Sequence, residues 1–137
     1  MTIKRYLRRQ RGETERHYLA RKIFLPFLEV KKREFKGSKI YFEFPPYGGK
    51  AKADLALITE KPPIAVVKIW VEIQDTKLTK KEWQKKLTKI VTTFKPENIY
   101  IAITENLSPN LFSIFNVISN ILNGYECEYE FFLIDTK

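Results

Sequence analysis

Residues 53–74, ADLALITEKPPIAVVKIWVEIQ, decide the fold, because they predict two β-strands joined by a tight turn. The first strand is predicted over Asp54–Thr59. The turn follows over Glu60–Pro63, since two prolines cannot continue a β-ladder. The second strand, Ile64–Gln74, is rich in β-branched residues. The segment therefore predicts a hairpin whose first strand opens on a carboxylate.

The second strand of this hairpin carries a glutamate among apolar neighbours. Side chains alternate across a strand, which predicts one face with Val67, Ile69, Val71 and Ile73 and another with Lys68, Trp70, Glu72 and Gln74. The hairpin can bring Asp54 beside Glu72, and a divalent cation between two such carboxylates removes their repulsion. Equally, Glu72 can be a buried, hydrogen-bonded group with no further role. The residues alone leave both interpretations open.

This arrangement resembles the core of the PD-(D/E)XK nuclease superfamily, which has a restriction-endonuclease-like fold. Its pattern is an Asp at the start of one strand and Glu-x-Lys in the next, matched here by Asp54 and by Glu72-Ile73-Gln74. Ala53 stands where the superfamily usually has proline, and Gln74 where it usually has lysine. The resemblance implies that Asp54, Glu72 and the Ile73 carbonyl bind Mg²⁺ or Mn²⁺, with Gln74 orienting the attacking water.

Gln74 cannot supply the positive charge of a lysine, so another cation is expected near the site. Lys52 is predicted to share a face with Asp54, two residues away, and could substitute. Lys68 shares a face with Glu72 but lies about 13 Å along the strand, at roughly 3.3 Å per residue. Lys52 is therefore the better candidate.

A helix is predicted from near Glu13 to about Leu25, where Pro26 ends or kinks it. Leu19 and Ile23 mark its predicted core face.

The first part of this helix carries a second resemblance. Residues 12–19, GETERHYL, have the form G-x-x-E-R-x-x-L. This string resembles the opening helix of archaeal Holliday junction resolvases, a branch of the same superfamily. That resemblance implies that Glu15 joins the metal site, or Glu13 if the register differs by two residues. The single histidine, His17, is interpreted as incidental.

Positive charge is concentrated at the start of the chain. The net charge is +9, and residues 1–36 contain 12 Lys and Arg against 4 Glu, including all seven arginines. Since arginine forms bidentate contacts with phosphate, DNA is the predicted partner. A solvated basic tail or attraction to an anionic membrane are the alternatives. The predicted DNA contacts, which include a lysine stripe on the second helix, are Arg5, Arg8, Arg9, Arg11, Arg16, Lys50, Lys52, Lys81, Lys85 and Lys89.

The remaining segments complete an α-β-β-β-α-β-α-β order, which predicts a mixed α/β sheet with helices on its faces. We expect residues 1–12 to be a flexible basic arm and residues 13–137 to be one domain. The other predicted elements are a strand over Ile40–Phe44, a helix from the Thr79 cap to about Thr93, a strand over Asn98–Thr104, a helix from Ser108-Pro109 to Asn123-Gly124, and a strand over Glu128–Ile134.

Together these features predict a metal-dependent DNA endonuclease, most like a Holliday junction resolvase. The alternatives are a nuclease of duplex ends or flaps, and an inactive DNA-binding protein of the same fold, which the missing lysine favours. A homodimer is expected because a junction has two equivalent strands to cut and the third helix is apolar over most of its circumference. The single Cys127 and the absence of a membrane-length apolar run predict an intracellular protein that is not membrane-bound.

Overall fold

The computed structural model describes residues 7–45, 51–61 and 64–137. Within these residues the chain forms three α-helices, five β-strands and a short 3₁₀ helix, and the predicted α-β-β-β-α-β-α-β order is confirmed. The helices are α1 (Glu15–Lys32), α2 (Lys80–Thr93) and α3 (Leu111–Leu122), with the 3₁₀ helix at Glu105–Asn110. The strands are β1 (Ser38–Tyr41), β2 (Leu55–Lys61), β3 (Ile64–Gln74), β4 (Asn98–Thr104) and β5 (Glu128–Ile134).

The five strands form one mixed sheet in the order β1-β2-β3-β4-β5. β1, β2 and β3 are antiparallel neighbours, whereas β4 and β5 run parallel to β3. Apolar side chains of α1 pack on one face of the sheet, and those of α2 and α3 pack on the other. The predicted mixed α/β class is therefore confirmed, and β3 lies at the centre of the sheet between two helical layers.

The predicted β2–β3 hairpin is confirmed, but β2 covers Leu55–Lys61 instead of Asp54–Thr59, so Glu60 and Lys61 belong to the strand and not to the turn. The turn residues Pro62 and Pro63 lie outside the described residues.

A register shift also changes the face of one residue. Leu57 pairs with Ile69 while the next residue, Ile58, pairs with Val67, so Lys68 is an extra residue in β3. Such a bulge breaks the two-residue alternation. Val67 accordingly packs on the α2 side with Trp70, and the prediction that it shares a face with Ile69 was wrong.

Helix α1 is longer than predicted and rotated relative to the predicted core face. It begins at Glu15, with Thr14 as its N-cap, and continues through Pro26 to Lys32. Pro26 is exposed, so water can satisfy the carbonyl group that its missing N–H leaves free. Its buried apolar side chains are Ala20, Phe24 and Leu28, whereas Ile23 is 49% exposed.

Two other predicted boundaries were wrong by a few residues. β1 covers Ser38–Tyr41 instead of Ile40–Phe44, since Phe44 makes only an isolated bridge to Ala53. Ser108 and Pro109 belong to the 3₁₀ helix, so α3 begins at Leu111. None of the helices in the described part of the chain is both long and apolar enough to span a membrane.

Candidate active site

Asp54 lies just before β2, beside the end of β3, and both of its carboxylate oxygens have partners. Its backbone N–H donates to the Val71 carbonyl at 3.0 Å. Oδ2 accepts the Ile73 N–H at 2.7 Å, beyond the point where β2 stops pairing with β3. Oδ1 lies 3.1 Å from His17 Nε2. One oxygen of the side chain thus accepts a backbone N–H of β3, and the other faces α1.

Glu72 is the second carboxylate, and it is almost completely buried, at 1% exposure. Trp70 Nε1 donates to its Oε1 at 2.8 Å, and Lys86 Nζ donates to its Oε2 at 3.0 Å. Burial raises the pKa of Glu72, the charge of Lys86 opposes that rise, and the negative charge of Asp54 adds to it. Because Asp54 accepts the N–H of Ile73, the residue that follows Glu72, the hairpin brings both acids to the same end of β3.

Lys86, from α2, provides the positive charge that Gln74 lacks. Its Nζ donates to Gln74 Oε1 at 3.2 Å as well as to Glu72. Gln74 is itself fixed, because its Nε2 donates to the carbonyl and the hydroxyl of Thr76 at 2.7 and 2.9 Å. Although burial lowers the pKa of Lys86, the charges of Glu72, Asp54 and Asp75 raise it, so the ammonium group stays charged.

The sequence analysis missed Lys86 and named other lysines instead. Lys52 is paired with Glu43, and Lys68 donates to Glu97 at 2.9 Å. Neither contacts Glu72 or Gln74 through a hydrogen bond in the described residues. The available signal was the position of Lys86 beside the buried stripe of α2, one residue before Leu87, where a long side chain can reach the sheet.

A buried network connects Asp54 to α1. Arg21, at 1% exposure, donates to both carboxylate oxygens of Glu13, each at 2.7 Å. Glu13 Oε2 also contacts His17 Nδ1, and His17 Nε2 faces Asp54. His17 therefore bridges two carboxylates, and its interpretation as incidental was wrong.

Glu13 and His17, in the middle of this network, have strongly shifted pKa values. Burial alone would raise the pKa of Glu13, but hydrogen bonds from Arg21, Gln10 and His17 lower it to about 2. Burial alone would lower the pKa of His17, but the hydrogen bond and charge of Asp54, with those of Glu13, raise it to about 9. Both shifts favour the ionised forms, so Glu13 and His17 form an ion pair at neutral pH.

Glu13, rather than Glu15, is the glutamate that the structure connects to Asp54. Glu15 is exposed and lines a separate depression of about 400 Å³ with Arg16 and Glu105. Glu13 is connected to Asp54 only indirectly, because the His17 ring lies between the two carboxylates. Of the predicted catalytic residues, the structure brings together Asp54, Glu72 and Gln74, together with Ile73, and places Glu15 elsewhere.

A cavity of about 720 Å³ opens between residues 51–52 and α2, with Glu72 in its wall. Its lining contains four lysines, Lys52, Lys85, Lys86 and Lys89, together with Glu82 and the apolar side chains of Ala51, Leu78 and Ile90. Lys81, the third member of the predicted lysine stripe, is exposed on α2 and lies outside this lining. Three predicted DNA contacts are thus in the cavity wall with the site.

The predicted arginine contacts lie on the α1 side. Arg9 Nε donates to the Glu13 carbonyl at 2.9 Å, and the Arg8 carbonyl accepts from Arg21 at 2.8 Å. Arg11 lines a depression with Glu13 and His17, and Arg16 lies 3.8 Å from Glu105. The described part of the basic arm, residues 7–12, therefore lies against the beginning of α1. Arg5 and Lys50 are outside the described residues.

The site has the donor chemistry that a hard divalent cation prefers. Mg²⁺ is commonly held by one or two carboxylates plus waters and substrate phosphate, and Asp54 and Glu72 supply two. In the ranges described, no three His, Cys, Asp or Glu side chains come together as a metal cluster. Each carboxylate is instead held by its own cationic side chain, Asp54 by His17 and Glu72 by Lys86. An ion bound by both acids would compete with Lys86 for Glu72, whereas at Asp54 it could use a lone pair that neither His17 nor the Ile73 N–H occupies.

The chain was also compared with known proteins. Searches against protein-family models, curated proteins and solved structures found no match in any of the three. A functional inference for this chain therefore depends on the residues and geometry of the site itself.

Proposed function

We propose that this protein is a metal-dependent endonuclease that hydrolyses phosphodiester bonds in DNA. One observation carries the proposal: two carboxylates, Asp54 and Glu72, and a charged lysine, Lys86, converge at the end of the β2–β3 hairpin beside a lysine-lined cavity. Paired acids can hold a divalent cation, and such an ion together with the lysine is suited to stabilising the negative charge that develops on the phosphate during hydrolysis.

Asp54, Glu72 and the Ile73 carbonyl are the residues that would hold Mg²⁺ or Mn²⁺. When bound, the ion lowers the pKa of a water molecule and stabilises negative charge on the phosphate. Lys86 holds a second positive charge next to Glu72, where it can donate to a phosphate oxygen. Gln74, fixed by Thr76, accepts from Lys86 and so keeps the ammonium group at this position.

Lysines in the wall of the cavity would bind the phosphates of a DNA strand that lies in it next to Glu72 and Lys86. Lys85 and Lys89 lie one turn apart on α2, and Lys52 lies on the opposite side. Each is placed to neutralise a phosphate close to the one that reacts. Net positive charge would also draw DNA to the protein from a distance.

Branched DNA is the substrate that we propose, on the basis of the resemblance of the opening helix to junction resolvases. Paired cuts in a four-way junction need two sites, which a homodimer supplies. Apolar residues exposed on the described surface include Ile23, Phe27 and Val30 of α1 and Phe112 of α3, which is 88% exposed. The three α1 residues offer area for such an interface, and Phe112 offers area on the opposite face of the sheet. Duplex ends and flaps remain the alternative substrates within the same activity.

A second candidate is a DNA-binding protein of this fold without activity. The observation that favours it is the pairing of each carboxylate with a cationic side chain, since His17 and Lys86 already neutralise Asp54 and Glu72. Each carboxylate thus has a compensating charge without a metal ion, and a buried charge left unpaired would be costly.

A cleavage assay separates the two candidates. Four-way junction, flap and linear duplex DNA would each be incubated with the protein in Mg²⁺, Mn²⁺ or EDTA. The endonuclease proposal expects cleavage that requires metal and is lost in Asp54→Asn, with Glu29→Gln on the exposed side of α1 as a control. Binding to DNA without cleavage of any substrate in either metal would favour the inactive protein.

A further inference from the structure

We propose that Arg21, Glu13 and His17 form a positioning chain that orients Asp54, so that α1 completes the site through a histidine. The geometry of this positioning chain follows from contacts between described residues. Its role in catalysis rests on the proposed function. His17 is a positioning residue here because it acts through Asp54.

The chain begins at Arg21, a fixed anchor inside the protein. Besides its two contacts with Glu13, its guanidinium donates to the Arg8 carbonyl at 2.8 Å and to the Phe42 carbonyl at 3.4 Å. An arginine at 1% exposure with four hydrogen bonds has little freedom to move. Glu13 is therefore held by a rigid, planar partner on both of its oxygens.

Glu13 in turn sets the orientation of the His17 ring. Its Oε2 contacts His17 Nδ1, while the backbone N–H of His17 donates to the N-cap hydroxyl of Thr14 at 3.1 Å. With Nδ1 held, Nε2 is directed towards Asp54 Oδ1 at 3.1 Å. When a hydrogen bond holds one nitrogen of a histidine ring, the orientation of the other nitrogen is fixed, and that nitrogen can orient its own partner.

Asp54 is the end of the chain, and its two oxygens are held from different directions. His17 holds Oδ1 and the Ile73 N–H holds Oδ2 at 2.7 Å, so rotation of the carboxylate would break one contact or both. The Ile73 amide is thus a local reporter of the position of Asp54. It reports without DNA or metal, because the hydrogen bond belongs to the protein alone.

Two substitutions of His17 separate the contacts of its two nitrogens. In His17→Gln the side-chain amide nitrogen falls close to the place of Nε2, which keeps the donor to Asp54. In His17→Asn it falls close to the place of Nδ1, which keeps only the contact with Glu13. Glu29→Gln, on the exposed side of the same helix, is the matched control.

Amide hydrogen exchange of Ile73, followed by NMR and divided by the exchange rate of Ile101 in β4, tests the proposal. His17→Asn should raise this ratio about threefold to tenfold, the effect of weakening one hydrogen bond, while His17→Gln stays near the wild type. Division by Ile101 removes any contribution from general destabilisation. Unchanged ratios in both variants, or equal rises in both, would overturn the proposal.

Cleavage kinetics add a readout that distinguishes this inference from the proposed function. If both hold, His17→Asn lowers kcat with little change in KM for DNA, and His17→Gln restores most of kcat. If the wild type cleaves no DNA but the Ile73 ratio behaves as expected, the positioning chain stands and the nuclease proposal fails. A kcat that is equal in the two variants would overturn the catalytic part of the inference.

Discussion

The two acids of the candidate site are held from opposite sides of the sheet, and by different kinds of partner. Asp54, with its side chain 17% exposed, is held by His17 of α1, which is itself the end of a buried chain of contacts. Glu72, whose side chain is 2% exposed, is held by Lys86 of α2, a side chain that is 35% exposed and also contacts Gln74. His17 is fixed through a chain of buried contacts whereas Lys86 is partly exposed, so we expect a ligand to replace Lys86 at Glu72 more easily than His17 at Asp54.

The largest expected effect comes from removing either acid. Asp54→Asn and Glu72→Gln should each lower the cleavage rate by more than about a hundredfold, because each removes a charged ligand from the reacting centre. Affinity for DNA should stay the same or increase, since a negative charge near phosphate is lost. Single-turnover cleavage and binding by fluorescence anisotropy measure the two quantities separately. A cleavage rate near that of the wild type in either variant would contradict the assignment of the site.

The next largest effect is expected on the free energy of unfolding when Lys86, the partner of Glu72, is replaced. Lys86→Met leaves Glu72 buried without its cation and should lower the free energy of unfolding by about 2 kcal/mol, less than the loss for a fully buried pair because Lys86 is 35% exposed. Adding Glu72→Gln should recover most of that loss. Urea denaturation measures both, with Lys80→Gln as the exposed control on α2. No recovery in the double variant would mean that the Lys86 stem, rather than its charge, supports the core.

The pH dependence of stability, compared between the wild type and a His17 variant, should reveal the contribution of the α1 side. The pKa of His17 is raised from 6.5 to about 9, so its stabilising contribution is complete below pH 6.5 and is lost as the pH rises through 9. The pKa of Glu13 is lowered from 4.5 to about 2, so its contribution is complete above pH 4.5 and is lost as the pH falls through 2.

The contribution of this network should therefore be greatest between about pH 4.5 and 6.5. The difference in unfolding free energy between wild type and His17→Gln, measured from pH 6 to 10, should shrink towards the alkaline end. A difference that is constant over this range would show that the charge of His17 does not contribute to the stability of the folded protein.

The smallest effect is expected from Lys85 and Lys89, the cavity lysines that make no hydrogen bond or ion pair with either acid in the described structure. Replacing Lys85 and Lys89 with Gln should make the slope of log affinity against log salt shallower by about 0.9 per lost phosphate contact on duplex DNA. The Lys80→Gln variant should leave the slope unchanged. An identical slope in the double lysine variant would direct attention to the arginines before α1.

The hairpin and its two acids could be predicted because they lie close in sequence, where strand alternation and turn chemistry are local rules. The partners could not, since Lys86 and His17 reach the site from helices whose rotation depends on packing. The predicted α1 face used Leu19 and Ile23, yet packing buries the neighbouring Ala20 and Phe24. That rotation places His17 towards the sheet.

The sequence also gave no way to separate Glu13 from Glu15. The choice depends on where the helix begins, and Thr14 makes that choice by capping α1 with its hydroxyl. Glu13 then falls just outside the helix, where it can turn back to Arg21. The resemblance to a nuclease remains a prediction that the geometry of Asp54 and Glu72 supports.

Moving the cation tests the central claim most directly. Single-turnover cleavage of four-way junction and duplex DNA would be measured in Mg²⁺ for wild type, Lys86→Gln, and Lys86→Gln combined with Gln74→Lys. We expect Lys86→Gln to be slower by about a hundredfold, the scale of one positioned catalytic group. The double variant should regain most of the rate, because the end of the Gln74 side chain lies 3.2 Å from Lys86 Nζ and a lysine at 74 can bring its ammonium group close to that place. A Lys86→Gln rate equal to that of the wild type, or a wild type that cleaves neither DNA, would contradict the account.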